Sequence, residues 1–303
     1  MNASAAHPDG RFVCCVLLLL AALCFVPRAQ AQDAASLGAR QTALREALAS
    51  NAFGRPLVLE SMQSDNGLKG DVYAVVGRPF GVVSPALQGM DQWCDILIVH
   101  INVKNCQARG SGADSVLSLA VGRKFDQPLA DAYRVDFAYR VGASQPEYLQ
   151  VLLKADSGPL GTRDYRLVIE VIPRDAKSSF VHLSYSYAYG MAARLAMQGY
   201  LATIGHDKVG FSITGHEADG TPIFIGSVRG VVERNTMRYY LAIEAYLGAY
   251  HLPPAQRAER QLLDWYTAVE RYPRQLHELE REQYLSMKRR ELLRQRALAG
   301  KAS

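Results

Sequence analysis

Asp95, His100 and Asn102 fall within one short stretch, DILIVHIN, and together offer a carboxyl, an imidazole and an amide. On one reading His100 and Asn102 share a strand face, and the trio binds a polar head group or acts as acid and base. On the other, the same side chains anchor a helix–strand junction by buried hydrogen bonds. A second group lies in SSFVHLSYSYAYG. Strand alternation puts Phe180, His182, Ser184, Ser186 and Ala188 on one face, and Val181, Leu183, Tyr185, Tyr187 and Tyr189 on the other. Neither face is simply polar. Either one lines a cavity while the other meets a helix, or both are buried in a large sheet. The tyrosines suit a lipid or an aromatic ligand equally well. Trp93 either walls a pocket or belongs to the core. Arg166 and Glu170 have the opposite parity to Tyr165, Leu167 and Ile169; with the apolar set turned outward against helices, Arg166 enters the cavity and meets an anionic head. Tyr240 joins the candidate binding residues from a later helix.

No recognised catalytic signature accompanies these groups. The chain has no G-x-S-x-G, H-E-x-x-H, Walker A or G-x-G-x-x-G motif, and no spacing makes its Ser, His and Asp residues a triad. No catalytic residue, cofactor or metal is therefore assigned, and an enzyme is the less favoured class. Of five cysteines, Cys14, Cys15 and Cys24 lie in a leucine-rich leader of export type, leaving Cys94 and Cys106 as a disulfide candidate with one possible pairing, or else as two reduced, buried thiols.

That leader has Arg11 before the uncharged run Phe12–Val26, then Ala29-Gln30-Ala31, a small-x-small cleavage pattern. The run is shorter than the roughly 20 residues of a comfortable membrane span. The expectation is a signal peptide over 1–31, cleaved after Ala31, and a mature protein that is periplasmic or secreted. Leu23 before Cys24 does not fit a lipobox. The 303 residues carry a formal charge of +5, and 49% are hydrophobic, which excludes a largely disordered chain. Without the leader the net charge is +4, all of it from His251 onward. Residues 32–250 are neutral overall, which argues against nucleic-acid binding by the main body.

The elements around these residues read as follows. Leu37, Leu44 and Leu48 mark an amphipathic leader helix within 32–53. A hairpin turns at Asn66-Gly67. Two short helices, or one broken helix, follow, with Pro85 placed most easily in a first helical turn. Strands are expected over 96–104, 115–123, 133–141, 148–154, 163–172 and 179–189, a meander rather than alternating βαβ units. Gly190–Gly205 is an apolar helical segment: either a gate through Met191, Leu195 and Tyr200, a membrane-facing element, or a helix simply packed on the sheet. Two strands, 208–214 and 221–227, precede a long helix over 231–250 that packs on a sheet through Met237, Tyr240, Leu241, Glu244 and Leu247. Pro253-Pro254 ends it, and 251–303 is a helical extension broken near Pro273.

The stretches LKGDVYAVVGRPFGVVSPAL, QWCDILIVHINVKNC, DYRLVIEVIPRDAKSSFVHLSYSYAYG and GVVERNTMRYYLAIEAYL, in that order, resemble the START-like superfamily of polyketide cyclases and lipid-transport proteins, and its exported bacterial members in particular. The resemblance covers residues 54–250. It implies an α+β helix-grip fold: a curved antiparallel sheet wrapped around a long helix, here with extra C-terminal helices. It also implies an internal cavity for a hydrophobic small molecule or lipid. A cyclase- or hydrolase-type enzyme and a protein-interaction module are the alternatives. The basic end of the C-terminal helices either contacts a membrane peripherally or is a solvated face.

Overall fold

An eight-stranded antiparallel sheet organises the chain around one long helix. The computed structural model describes Met1 and residues 33–191, 194, 195, 197, 199 and 207–299. The expected signal peptide with its Ala31 cleavage site, and Tyr200 of the expected gate, lie outside the described residues. Residues Ala34–Ser303 form one compact unit. The leader helix is two pieces, α1 (Ala34–Ala43) and α2 (Arg45–Ala49). The hairpin is β1 (Leu57–Gln63) and β2 (Gly67–Val76), and α3 (Phe80–Ala86) and α4 (Met90–Leu97) follow it. Six strands then run consecutively: β3 (Val103–Arg109), β4 (Val116–Val121), β5 (Tyr133–Gln145), β6 (Tyr148–Ser157), β7 (Thr162–Asp175) and β8 (Ser178–Tyr189). The spatial order is β1-β2-β8-β7-β6-β5-β4-β3, so the meander returns to pair its last strand with the hairpin. A separate ribbon, β9 (Ile213–His216) with β10 (Pro222–Phe224), leads into α5 (Ser227–Ala249). Three helices close the chain: α6 (Pro254–Val269), α7 (Pro273–Leu276) and α8 (Arg281–Ala299). This is the helix-grip arrangement.

Three expectations change, the first in the ribbon, where the strand expected over 208–214 begins only at Ile213. The strand expected over 96–104 begins only at Val103, because Ile96 and Leu97 complete α4. Ile96–Val99 is a continuous buried run without alternation, which suits a helix end as well as a strand. His100 and Asn102 consequently lie in a turn and do not share a strand face. Pro85 sits in the last turn of α3 rather than a first turn. The helix ends one residue later, so little hydrogen bonding is lost there.

Helix α5 is buried almost all round, against the inner face of the sheet on one side and the C-terminal helices on the other. The sheet approaches it closely at Gly70, where an added Cβ would meet Thr236 Oγ1 at 2.2 Å. The outer face is covered too. Leu37, Leu44 and Leu48 of the leader helices pack on Tyr73, Tyr148, Ile172 and Phe180. At the far edge, α8 is locked to β3 by a buried ionic trio. Lys288 Nζ donates to Glu291 at 2.7 Å and to the Val103 carbonyl at 2.7 Å, and Lys104 Nζ lies 3.1 Å from Glu291. Desolvation lowers the Lys288 pKa to about 8 against the opposing pull of Glu291. A disulfide joins Cys94 of α4 to Cys106 of β3, with Cα atoms 5.2 Å apart. Among the described residues no helix is long and apolar enough to cross a membrane.

Candidate functional site: a tyrosine strip between sheet and long helix

Alternation on β8 resolves with Val181, Leu183, Tyr185, Tyr187 and Tyr189 facing inward. Tyr165 on β7 shares that face, and its ring stacks on Tyr187 with centroids 5.3 Å apart. Phe137 of β5 meets Tyr165 edge-on at 6.2 Å. From the helix side, Tyr239 of α5 reaches Tyr185 at 5.0 Å. Tyr165 and Tyr239 keep accessible surface even though they stand between sheet and helix. Burial raises the pKa of Tyr165, Tyr185, Tyr187 and Tyr239, and mutual repulsion among the phenolates adds to it at Tyr185 and Tyr187. All four phenols stay protonated at neutral pH. The strip therefore presents apolar ring faces and neutral hydroxyls.

His100 extends the strip. Its ring stacks on Tyr239 at 4.6 Å, and its Nδ1 accepts the Asn102 backbone N–H at 3.2 Å. Burial lowers its pKa well below the ordinary value, and Arg238 acts in the same direction. In the neutral ring Nδ1 is the acceptor, so Nε2 carries the proton. That Nε2–H is buried and has no hydrogen-bond partner. Asn102 is occupied by donating to the Gly122 carbonyl at 2.7 Å.

The remaining candidates separate. Asp95, on α4, is exposed and lines an outer cleft of about 220 Å³ with Arg257, Gln261 and Arg296. Desolvation there raises its pKa against the pull of Arg257. It does not join His100 and Asn102. Trp93 is fully buried in the core and donates to the Leu87 carbonyl at 2.7 Å. Tyr240 is buried beside Arg55 and Glu244, one residue round the helix from the strip. Tyr189 packs inward and donates to the Ser64 carbonyl at 3.4 Å. Of the gate, Met191 and Leu195 are exposed, while Met197 packs against the core.

Arg166 and His182 turn out to face away from α5, since the apolar residues of β7 and β8 point inward. Arg166 is exposed on the outer face and enters no interior space. His182 is buried there under α1, stacked on Tyr73 at 4.4 Å. Its Nδ1 lies 2.8 Å from Glu170 and its Nε2 2.9 Å from Asp71; Tyr148 donates to Glu170 at 2.6 Å. Desolvation works against the imidazolium, but the two carboxylates outweigh it and raise the His182 pKa. The same contacts, with Lys69 at Asp71, outweigh desolvation and lower both carboxyls. This trio is an internal ion network that holds β2, β7 and β8 together beneath the leader.

Tyr165, Tyr239 and Phe137 are functional candidates that the sequence reading passed over. Their signal was available: Tyr165 alternates with Arg166, and Tyr239 adjoins Tyr240. Choosing between those neighbours needed the orientation of the strand and the helix.

No protein-family model matches the chain, and no curated protein matches it. Among solved structures, it is similar to a START superfamily protein from Mycobacterium smegmatis, at 11% identity over 46% of this chain and 90% of that one, with a TM-score of 0.32. It is also similar to norcoclaurine synthase from Thalictrum flavum, at 15% identity over 50% of this chain and 84% of that one, TM-score 0.31. Ginseng major latex-like protein 151 from Panax ginseng matches at 13% identity over 61% of this chain and 99% of that one, TM-score 0.33. Such likenesses say nothing about a ligand. The strand order, the two short helices between β2 and β3, and the long helix held on the inner face give this chain an α+β, helix-grip fold.

Proposed function

We propose that the protein binds a hydrophobic small molecule, a lipid in the first instance, between the inner face of the sheet and α5, and carries or sequesters it. The observation that supports this is the tyrosine strip: Tyr165, Tyr185, Tyr187 and Tyr239 offer ring faces to an apolar body and neutral hydroxyls to its polar atoms. An apolar ligand gains by leaving water there, and a few hydroxyls fix its orientation. The exposed side chains of Met191 and Leu195, directly after β8, suit a gate for such a ligand. The enzyme reading is weaker, because His100 is neutral and its Nδ1 is already occupied.

We further propose that the protein works in the periplasm or outside the cell after cleavage at Ala31, and that α8 touches membranes peripherally through its exposed arginines. Native mass spectrometry of the exported protein, followed by solvent extraction, tests the binding. A reproducible added mass that extracts as lipid is expected. Protein that arrives empty and stays empty after incubation with total membrane lipid overturns the reading. N-terminal sequencing of the exported form is expected to begin at Gln32.

A further inference from the structure

Away from the tyrosine strip, three helices enclose a second space. It is the cleft of about 220 Å³ between the end of α4, the first half of α6 and the second half of α8. Ile98, Val99 and Leu292 give it an apolar side, and Asp95, Arg257 and Arg296 bring charge of both signs. Its size is below the roughly 300–1,000 Å³ of drug-sized sites and suits one small molecule.

The polar groups are held in place and held apart. Arg257 Nη2 donates to the carbonyls of Tyr250 at 3.0 Å and Leu252 at 3.2 Å, just past the end of α5, and the guanidinium lies over the Tyr250 ring at 5.1 Å. Asp95 is tied down through its backbone, whose carbonyl accepts from Gln261 Nε2 at 2.8 Å, so its carboxyl is not used for anchoring. Gln295 Oε1 accepts the Cys106 N–H at 2.7 Å, which leaves its amide nitrogen as a donor in the cleft wall. Among the described residues neither Asp95 nor Arg296 forms an ion pair, although the fields of Arg257 and Arg296 reach the Asp95 carboxyl. Two buried polar atoms beside the cleft, the Nε of Arg257 and the hydroxyl of Tyr246, have no hydrogen-bond partner. Buried polar atoms are rarely left so, and each such case asks for a water or a bound group.

Charge narrows the occupant. A plain anion is drawn by the guanidinia but repelled by Asp95, and a plain cation meets the reverse. A molecule carrying both signs finds a partner for each. The apolar side of the cleft takes its uncharged part.

We infer that this cleft is a second ligand site, for a free amino acid with an aliphatic side chain: its carboxylate meets Arg257 and Arg296, its ammonium meets Asp95, and its side chain lies on Ile98, Val99 and Leu292. The site is separate from the strip and stands or falls independently of the binding function proposed above.

Three probes with one side chain test this by titration calorimetry: L-leucine, N-acetyl-L-leucine, which lacks the ammonium charge, and L-leucinamide, which lacks the carboxylate. Leucine is expected to bind about tenfold or more tightly than either, the effect of one lost charge-assisted contact. Asp95 and Arg296 are exposed, so D95N and R296Q are expected to keep the fold, checked by near-ultraviolet circular dichroism. D95N is expected to weaken leucine several-fold and not to weaken N-acetyl-L-leucine. R296Q is expected to weaken leucine several-fold and leave L-leucinamide unchanged. Equal affinity for all three probes, or equal weakening of all three in both variants, overturns the site. Absence of leucine binding at millimolar concentration overturns it too, whatever is found for lipid. Acetate binding as tightly as leucine assigns the cleft to a free anion and overturns the amino acid.

Discussion

Buried charge does two different things in this molecule. Around Glu291 it is closed: Lys104, Lys288 and the carboxylate are all but inaccessible, and the ammonium groups also donate to backbone carbonyls. Removing the shared anion strands two buried cations, so Glu291→Gln is expected to cost about 3–5 kcal/mol of stability in urea unfolding. A loss below about 1 kcal/mol would mean that the trio is as weak as a surface pair. At His182 the network has a pH signature. The imidazole pKa is raised, so its contribution is complete below the unfolded value of about 6.5 and is lost as pH rises through the folded pKa. Asp71 and Glu170 are lowered, so theirs is present above their unfolded values and is lost as pH falls through the folded ones. The stability difference between the wild type and His182→Gln is therefore expected to peak in mildly acidic solution and shrink on both sides. A difference that stays flat with pH would contradict the assignment of an imidazolium.

The elements place these groups through close contacts. At Gly70 the strand lies so near α5 that Thr236 fills the space of a side chain. Gly70→Ala is expected to destabilise the fold by about 1–3 kcal/mol, since Thr236 is itself buried and fixed by its bond to the Val232 carbonyl. Thermal melting of the variant checks this. Most of the architecture was legible in the sequence: alternation marked β4 to β8, Asn66-Gly67 marked the hairpin, and helical periodicity marked α5. What the sequence left open was direction. Period-2 alternation separates Tyr185 from His182 but does not say which of two partly apolar faces meets the helix, so both faces stayed candidates, with Arg166 entering the cavity only if the apolar residues of its strand turned outward. The ion network at Glu278, which meets Arg238, Lys124 and Lys208, was harder still. Lys124, Lys208 and Glu278 come from three loops, and only Arg238, a charge in a largely apolar helix, left a local trace.

At the scale of the molecule, the chain beyond Pro253 is part of the core rather than an appendage to it. Trp265 stacks on Tyr284 at 5.0 Å, and Leu262, Leu276, Leu285 and Met287 belong to the same cluster as the inner face of the sheet. A protein truncated after Leu252 is therefore expected to lose its near-ultraviolet dichroism and become sensitive to protease. A folded, protease-resistant 33–252 fragment would show that the grip is self-sufficient.

The lock between α8 and β3 also bears on how the native state is reached. Tyr284 reaches the Val99 carbonyl and Lys288 the Val103 carbonyl, each across 185 positions of sequence. The leader helices, at the opposite end, wait for β7 and β8 before their leucines find cover. Such contacts close long loops, which slows folding. A chain made from its N-terminus buries Lys104 only when its partner, Glu291, has at last been synthesised, so the β3 edge of the sheet stays uncovered until nearly every residue is available.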